Sequence, residues 1–199
     1  MDKVDFVLVG VGGQGTILAS DILAGTGLHA GYDVKKSEVH GMSQRGGSVT
    51  SQVRWAEHVH SPLIGQGEAD LMLAFEKLEA VRFASLLRPG GVMVVNDHAI
   101  PPVSVSAGNE HYPADDEMRR VLLGVTPHIH VLPAARIARD LGNARVENVV
   151  LLGALSRLVE IDASCWLAAL EERVPERTRE VNRAAFLAGR EAIGSPISS

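Results

Sequence analysis

Val4-Asp5-Phe6-Val7-Leu8-Val9 runs into Gly10-Val11-Gly12-Gly13-Gln14-Gly15 and then into the stretch from Thr16 to His29. A short apolar run stopped by a turn signal predicts a buried strand, and the segment after the glycines carries helical periodicity. Strand, glycine turn and helix in that order open an α/β fold. Gly10, Gly12, Gly13 and Gly15, with Gln14 among them, sit where backbone amides and a helix N-terminus can meet an anion such as a phosphate, since a side chain there would block close approach. A tight strand-to-helix crossing needs the same glycines for packing alone. Both readings stand at this point.

A turn that reads a dinucleotide is followed, about 20 residues on, by an acidic residue at the tip of the second strand. The next extended stretch, Tyr32 to Lys36, ends in Lys35-Lys36, and Asp33 falls at its start, which counts against a nicotinamide cofactor. Beyond it, Glu38 to Gly47 reads as a polar loop, and Ser48 to Trp55 as a strand with one exposed face that is able to run antiparallel. Asp70 to Phe75 and Gly91 to Asn96 are short apolar runs around the helix-like Glu76 to Leu87, with Arg88-Pro89-Gly90-Gly91 as the stop. A right-handed strand-helix-strand unit is expected there. A short strand is expected near Val103, a helix over Asp115 to Gly124, a strand over His128 to Leu132 and a helix over Ala134 to Leu141. From Val146 the periodicity is helical throughout, in Glu147 to Glu160, Ala163 to Val174 and Pro175 to Ala192.

These elements predict a single domain over 1–199, a three-layer α/β/α arrangement with a mostly parallel or mixed sheet (1–145) and a C-terminal helical segment (146–199). The hydrophobic share of 46% is ample for a core, while aromatics at 4% leave aliphatic side chains to fill it. A net charge of -5 with no dense basic run removes the electrostatic footprint of a nucleic-acid-binding protein. The run before Gly10 is too short for a signal peptide, and no later run is long enough to span a bilayer, so no membrane association and a cytoplasmic location are expected. The one cysteine, Cys165, forms no internal disulfide and cannot alone hold an iron-sulfur cluster or a thiolate zinc site.

The stretch Lys36-Ser37-Glu38-Val39-His40-Gly41-Met42-Ser43-Gln44-Arg45-Gly46-Gly47-Ser48 is polar and glycine-rich, with one imidazole and one guanidinium in a chain that is net acidic. Taken with the turn at Gly10 to Gly15, it closely resembles the gamma-type subunit or domain of the 2-oxoacid:ferredoxin oxidoreductases, above all the small subunits of the indolepyruvate type. The resemblance extends through Val92 to Asn96 with Pro101-Pro102, through Leu141-Gly142-Asn143 and Asn148 to Leu155, and into Glu180 to Phe186.

The resemblance implies a subunit of an enzyme that oxidatively decarboxylates a 2-oxoacid, an arylpyruvate such as indolepyruvate, to an acyl-coenzyme A and carbon dioxide, with ferredoxin as electron acceptor. Thiamine diphosphate with Mg and the iron-sulfur clusters would belong to a large partner subunit, since this sequence carries neither signature, and this chain would be inactive alone. Coenzyme A would be a shared substrate. Gly10, Gly12, Gly13, Gln14 and Gly15, with Ser43, Gln44, Arg45, Gly46 and Gly47, are the residues placed against it, backbone amides and a guanidinium suiting a diphosphate. No residue is assigned a catalytic role. His40 reads first as a loop imidazole bound to backbone and second as a proton relay or substrate contact at an interface, while Arg45 reads equally as a ligand contact and as an ion-pair partner across a subunit interface. His58-x-His60 and His128-x-His130 put two imidazoles on one strand face without an accompanying carboxylate or cysteine, so no metal is expected. Trp166 and Cys165 read as buried packing. A free-standing NAD- or FAD-dependent oxidoreductase and a non-catalytic assembly module are the alternatives.

Overall fold

A computed structural model describes residues 3–40 and 47–194. Strand β1 (Lys3–Val11) enters the glycine turn and leaves it as helix α1 (Thr16–His29). The hairpin strands β2 (Asp33–His40) and β3 (Ser48–Ala56) follow, then β4 (Ala69–Ala74), α2 (Lys77–Phe83) and β5 (Leu87–Asn96). The chain continues through α3 (Val103–Ser106), α4 (Asp115–Leu123), β6 (Ile129–Leu132) and α5 (Ala134–Asp140). It closes with α6 (Glu147–Leu155), α7 (Ala163–Arg173) and α8 (Arg179–Ala192).

The six strands form one mixed sheet in the order β2-β3-β1-β4-β5-β6. β1, β4, β5 and β6 run parallel, and β3 is antiparallel to both of its neighbours. Alternation along β1 sorts its side chains between two layers. Val4, Phe6 and Leu8 join Trp55, Leu71 and Leu73 in a core shared with α1 and the C-terminal helices. Val7 and Val9 join Met72, Met93 and Val95 in a core covered by Ala80 of α2 and Leu122 of α4. The sheet is thus clothed on both faces, as the three-layer expectation required.

The C-terminal helices complete the first layer through contacts that only small residues allow. A β-carbon on Gly153 of α6 would fall 2.0 Å from the Phe186 carbonyl oxygen, and one on Gly189 of α8 would fall 1.9 Å from that of Val150. Trp166 of α7 is fully buried, its ring tilted against those of Trp55 and Phe186 with centroids 6.1 Å from each. Cys165, read as buried, is only half-buried. At the amino-terminal edge of the sheet, away from the glycine turn, buried Asp5 takes two bonds from Arg54, at 2.7 and 2.9 Å.

Several local expectations are corrected. β2 does not end at Lys35-Lys36, and Glu38 to His40 is strand rather than loop, paired with Ser51, Thr50 and Val49. Alternation puts Lys36 and Glu38 on the same side of an edge strand, where they pair at 2.6 Å, so polar composition costs little there. β3 is mostly buried on both faces, since α1 lies over one and the segment around Ile64 over the other. Val103 opens a one-turn helix and not a strand: Ser106 and Ala107 donate to the carbonyls of Pro102 and Val103, at 2.9 and 2.8 Å. Arg88 to Gly91 lie within β5, and α6 stops at Leu155. His58 and His60 lie beyond the end of β3, and only His130 of the second imidazole pair is on a strand.

Candidate functional site

The carboxyl ends of β1, β4 and β5 meet the N-terminus of α1, the place where open α/β sheets present loops to a ligand. Helix formation begins late, after Gly15, because Gly13 and Gly15 adopt φ values of 107° and 78°. Side chains rarely enter that region, and two glycines there let the chain double back from strand to helix within one turn. Gly13 is exposed, and a β-carbon on it would meet nothing within 4 Å. The Gln14 amide is taken by the Val11 carbonyl at 3.2 Å and the first amide bonded at the helix start is that of Ala19, to the Gly15 carbonyl at 3.0 Å, which leaves the amides of Gly15 to Leu18 at the positive end of the helix dipole.

Two side chains and one main-chain bond hold this turn. Gln14, counted with the glycines against coenzyme A from the sequence, has its side chain taken up inside the fold: Oε1 accepts from the Val11 N–H at 2.8 Å and Nε2 donates to the Phe75 carbonyl at 2.8 Å. Asn96, at the end of β5, donates to the same carbonyl at 3.2 Å and accepts from the Ala134 N–H at 3.2 Å. The Phe75 carbonyl therefore ties the ends of β1, β4 and β5 together, and the Asn96 amide oxygen adds the start of α5. Gly10 leaves room for this knot, since its β-carbon would lie 3.0 Å from the β-carbon of Phe75 and from Thr16 Oγ1. The Thr16 hydroxyl is buried against Gly10 and has no hydrogen-bond partner among the described residues.

The Gly12 N–H donates to the Gly47 carbonyl at 2.8 Å, which joins the glycine turn to the end of the β2–β3 hairpin loop. The adjoining Ser48 hydroxyl donates to the buried Glu79 carboxylate of α2, whose other oxygen takes Arg82 at 2.7 Å. Ser43, Gln44, Arg45 and Gly46 lie outside the described residues, as does the side chain of His40, whose backbone pairs with Val49. The hairpin places both ends of that loop beside the turn. Of the sequence-derived set, Gly12 and Gly47 are therefore in contact, Gly13 and Gly15 shape the surface, and Gly10 and Gln14 serve the scaffold.

Residues not singled out from the sequence complete the wall. Asn148 on α6 packs against Gly15, and Glu147 beside it faces His98, at the end of β5, across 3.6 Å. Burial pushes the Glu147 carboxyl above its ordinary value, opposed by His98 and Arg139. Glu76, buried at the start of α2, accepts from the N–H groups of Glu79 and Ile100, at 2.9 and 3.1 Å, and from the Tyr112 hydroxyl, pinning the segment after β5 across this edge. His130 Nδ1 is occupied by the Gly194 carbonyl at 2.8 Å. Among the described residues no cluster of three or more His, Cys, Asp or Glu side chains is placed to hold a metal ion, and no helix is long and apolar enough to cross a membrane.

Residues 5–192 match the family model of the pyruvate ferredoxin/flavodoxin oxidoreductases. The chain belongs to that family. An indolepyruvate oxidoreductase subunit IorB of Thermococcus kodakarensis is 39% identical over 192 residues, covering 95% of each chain. The corresponding subunit of Archaeoglobus fulgidus is 42% identical over 153 residues, 77% of this chain and 76% of that one. Among solved structures of the family, the gamma subunit of a keto/oxoacid ferredoxin oxidoreductase from Geobacter sulfurreducens superposes with a TM-score of 0.70 at 26% identity, over 95% of this chain and 97% of that one. A 2-oxoglutarate:ferredoxin oxidoreductase of Magnetococcus marinus, solved with coenzyme A bound, shares the fold at a TM-score of 0.72 and 21% identity, this chain matching 34% of that longer one. Like its relatives in the family, the chain is an oxidoreductase subunit, of the small indolepyruvate type, and its three-layer fold is theirs.

Proposed function

We propose that this chain is the coenzyme A-handling small subunit of a cytoplasmic oxidoreductase that converts an arylpyruvate of the indolepyruvate class to an acyl-coenzyme A and carbon dioxide, passing electrons to ferredoxin. The hydrogen bond from Gly12 to Gly47 carries the reading, because it brings the last glycine of the second motif against the surface of the glycine turn. That surface offers outward amides at a helix N-terminus, and Gly13 lets a bulky anionic group approach the backbone. The diphosphate of coenzyme A suits it. Thiamine diphosphate with Mg and iron-sulfur clusters, which supply the decarboxylation and the single-electron steps, belong on this reading to a large partner chain. A single cysteine leaves this subunit to bind and orient.

Mixing the purified chain with its large partner and measuring arylpyruvate- and coenzyme A-dependent dye reduction tests the proposal. Activity is expected in the mixture and in neither chain alone. NAD-dependent turnover by the isolated chain would overturn it in favour of a free-standing oxidoreductase.

A further inference from the structure

We infer that His98 and Glu147 form a proton-accepting pair for the thiol of coenzyme A, the imidazole taking the proton and the carboxylate holding the ring. The inference rests on the coenzyme A reading of the glycine turn. His98 Nδ1 lies 3.6 Å from Glu147 Oε2, sealed from solvent and without a hydrogen-bond partner among the described residues. The side chain of His98 is nevertheless 35% exposed and that of Glu147 15%. The ring therefore presents its other edge outward, and a carboxylate behind one nitrogen directs proton exchange to the opposite one, Nε2. The separation is slightly longer than a hydrogen bond, as such pairs commonly are before a ligand closes the site.

The pair is bracketed by contacts to the turn on both sides. His98 follows, by two residues, the Asn96 amide that shares the Phe75 carbonyl with Gln14. Glu147 precedes, by one residue, the Asn148 amide that abuts Gly15. A ligand whose diphosphate sits at the glycine turn thus has this imidazole on the neighbouring wall. The other charges around the pair do not compete for the role. Lys77 of α2, whose N–H donates to the His98 carbonyl at 3.1 Å, gives its ammonium to Asp97 and Asp115, at 3.2 and 2.8 Å. Arg139 of α5 acts on Glu147 only at longer range.

In the step assigned, the S–H bond of coenzyme A breaks as an N–H bond forms at Nε2. The electron pair stays on sulfur, and the resulting thiolate is the nucleophile for the acyl carbon held by the partner subunit. The imidazolium faces Glu147 and returns its proton to solvent from its exposed edge. Since a thiol is a weak nucleophile until it loses its proton, a neutral base beside it raises the rate and makes it pH-dependent.

The test uses the assembled complex with coenzyme A as substrate and desulfo-coenzyme A, which keeps the diphosphate and lacks the thiol, as a competing probe. His98→Gln is expected to lower kcat/KM for coenzyme A by about 10-fold or more near neutral pH. It should also erase the acid limb of the pH profile while leaving inhibition by the probe unchanged. Glu147→Gln is expected to lower kcat/KM for coenzyme A while leaving inhibition by the probe unchanged. A retained acid limb in His98→Gln, or a loss of probe binding matching the loss of rate, overturns the pair's role. Gly13→Ala separates the two readings: unchanged probe binding in that variant removes the glycine turn as the coenzyme site, whereas weakened binding with a silent His98→Gln removes only the pair.

Discussion

Asn148 donates from Nδ2 to the carbonyl of Gly15 at 3.4 Å, across a separation of 133 residues, and occupies the space a Gly15 side chain would need. A β-carbon on Gly15 would lie 2.6 Å from that nitrogen, and φ there is 78°. Gly15→Ala is therefore expected to lose about 2 kcal/mol, part from left-handed backbone and part from the clash. In an Asn148→Ala background only the backbone part should remain. A double-mutant cycle on urea midpoints checks this, and equal costs in both backgrounds would contradict the contact.

Gly153 and Gly189 set the distance between α6 and α8, each backbone filling the other's missing side chain. A methyl at either position has to drive two main chains apart. Gly153→Ala and Gly189→Ala are each expected to cost about 3 kcal/mol, visible as a lowered thermal midpoint. A change below about 0.5 kcal/mol would show that the helices reseat freely.

Gly13 offers the cleanest separation of ligand effects from packing. Its missing side chain would enter open space, so Gly13→Ala disturbs no neighbour and bears only the strain of φ at 107°. The expected result is a loss of about 1–2 kcal/mol of stability and a rise of about 10-fold in the Michaelis constant for coenzyme A, with that for the oxoacid unchanged. A selective effect on the oxoacid would place the arylpyruvate at the turn instead.

Much of this was legible because the decisive signals are local. The apolar run of β1, the glycines and the periodicity of α1 lie within one stretch, and the helix occupies the span the periodicity predicted, Thr16–His29. That β3 is able to run antiparallel was readable, though the exposed face expected from its alternation is mostly buried. What failed needed tertiary knowledge. Glu38 to His40 look like loop until Lys36 is seen to pair with both Asp21 and Glu38 between β2 and α1. Val103 looks like strand until the proline carbonyl before it starts a helical turn. Asn96, His98, Glu147 and Asn148 meet only because β5 ends and α6 begins at the same edge, and no spacing in the sequence foretells it.

Glu147 should expose a trade between stability and activity. Burial raises its carboxyl above the ordinary value, so the folded state holds the proton more firmly than the unfolded chain does. Its contribution is favourable below the unfolded value of 4.5 and is lost as pH rises through the folded value. Glu147→Gln, with no charge to bury, is expected to be the more stable protein at neutral pH while turning over coenzyme A more slowly. Denaturation midpoints at pH 4 and pH 7 read the sign, and a variant less stable at pH 7 would mean that His98 repays the burial in full.

Tyr112 carries the clearest pH signature away from the glycine turn itself. Its hydroxyl donates to buried Glu76, the carboxylate that also caps α2 and binds the Ile100 N–H. Burial, and then the bond and charge of Glu76, push the phenol far above its ordinary value of 10.0. A phenol held protonated in the folded state contributes stability that is complete below pH 10 and is lost as pH rises through the folded value. The wild-type protein is expected to lose stability steadily between pH 10 and 11, and Tyr112→Phe to show a flatter slope there after losing about 1 kcal/mol at neutral pH. Tyrosinate absorbance provides the second reading: the sequence has two tyrosines, and the wild-type-minus-variant titration should place Tyr112 above the ordinary phenol range. The consequence reaches the site, because the segment that Glu76 and Tyr112 pin begins at His98. Loosening it should lower kcat/KM for coenzyme A in Tyr112→Phe by a few-fold without moving the acid limb of the pH profile. Overlapping stability slopes for the two proteins above pH 10 would show that the Tyr112 hydroxyl does not hold this edge closed.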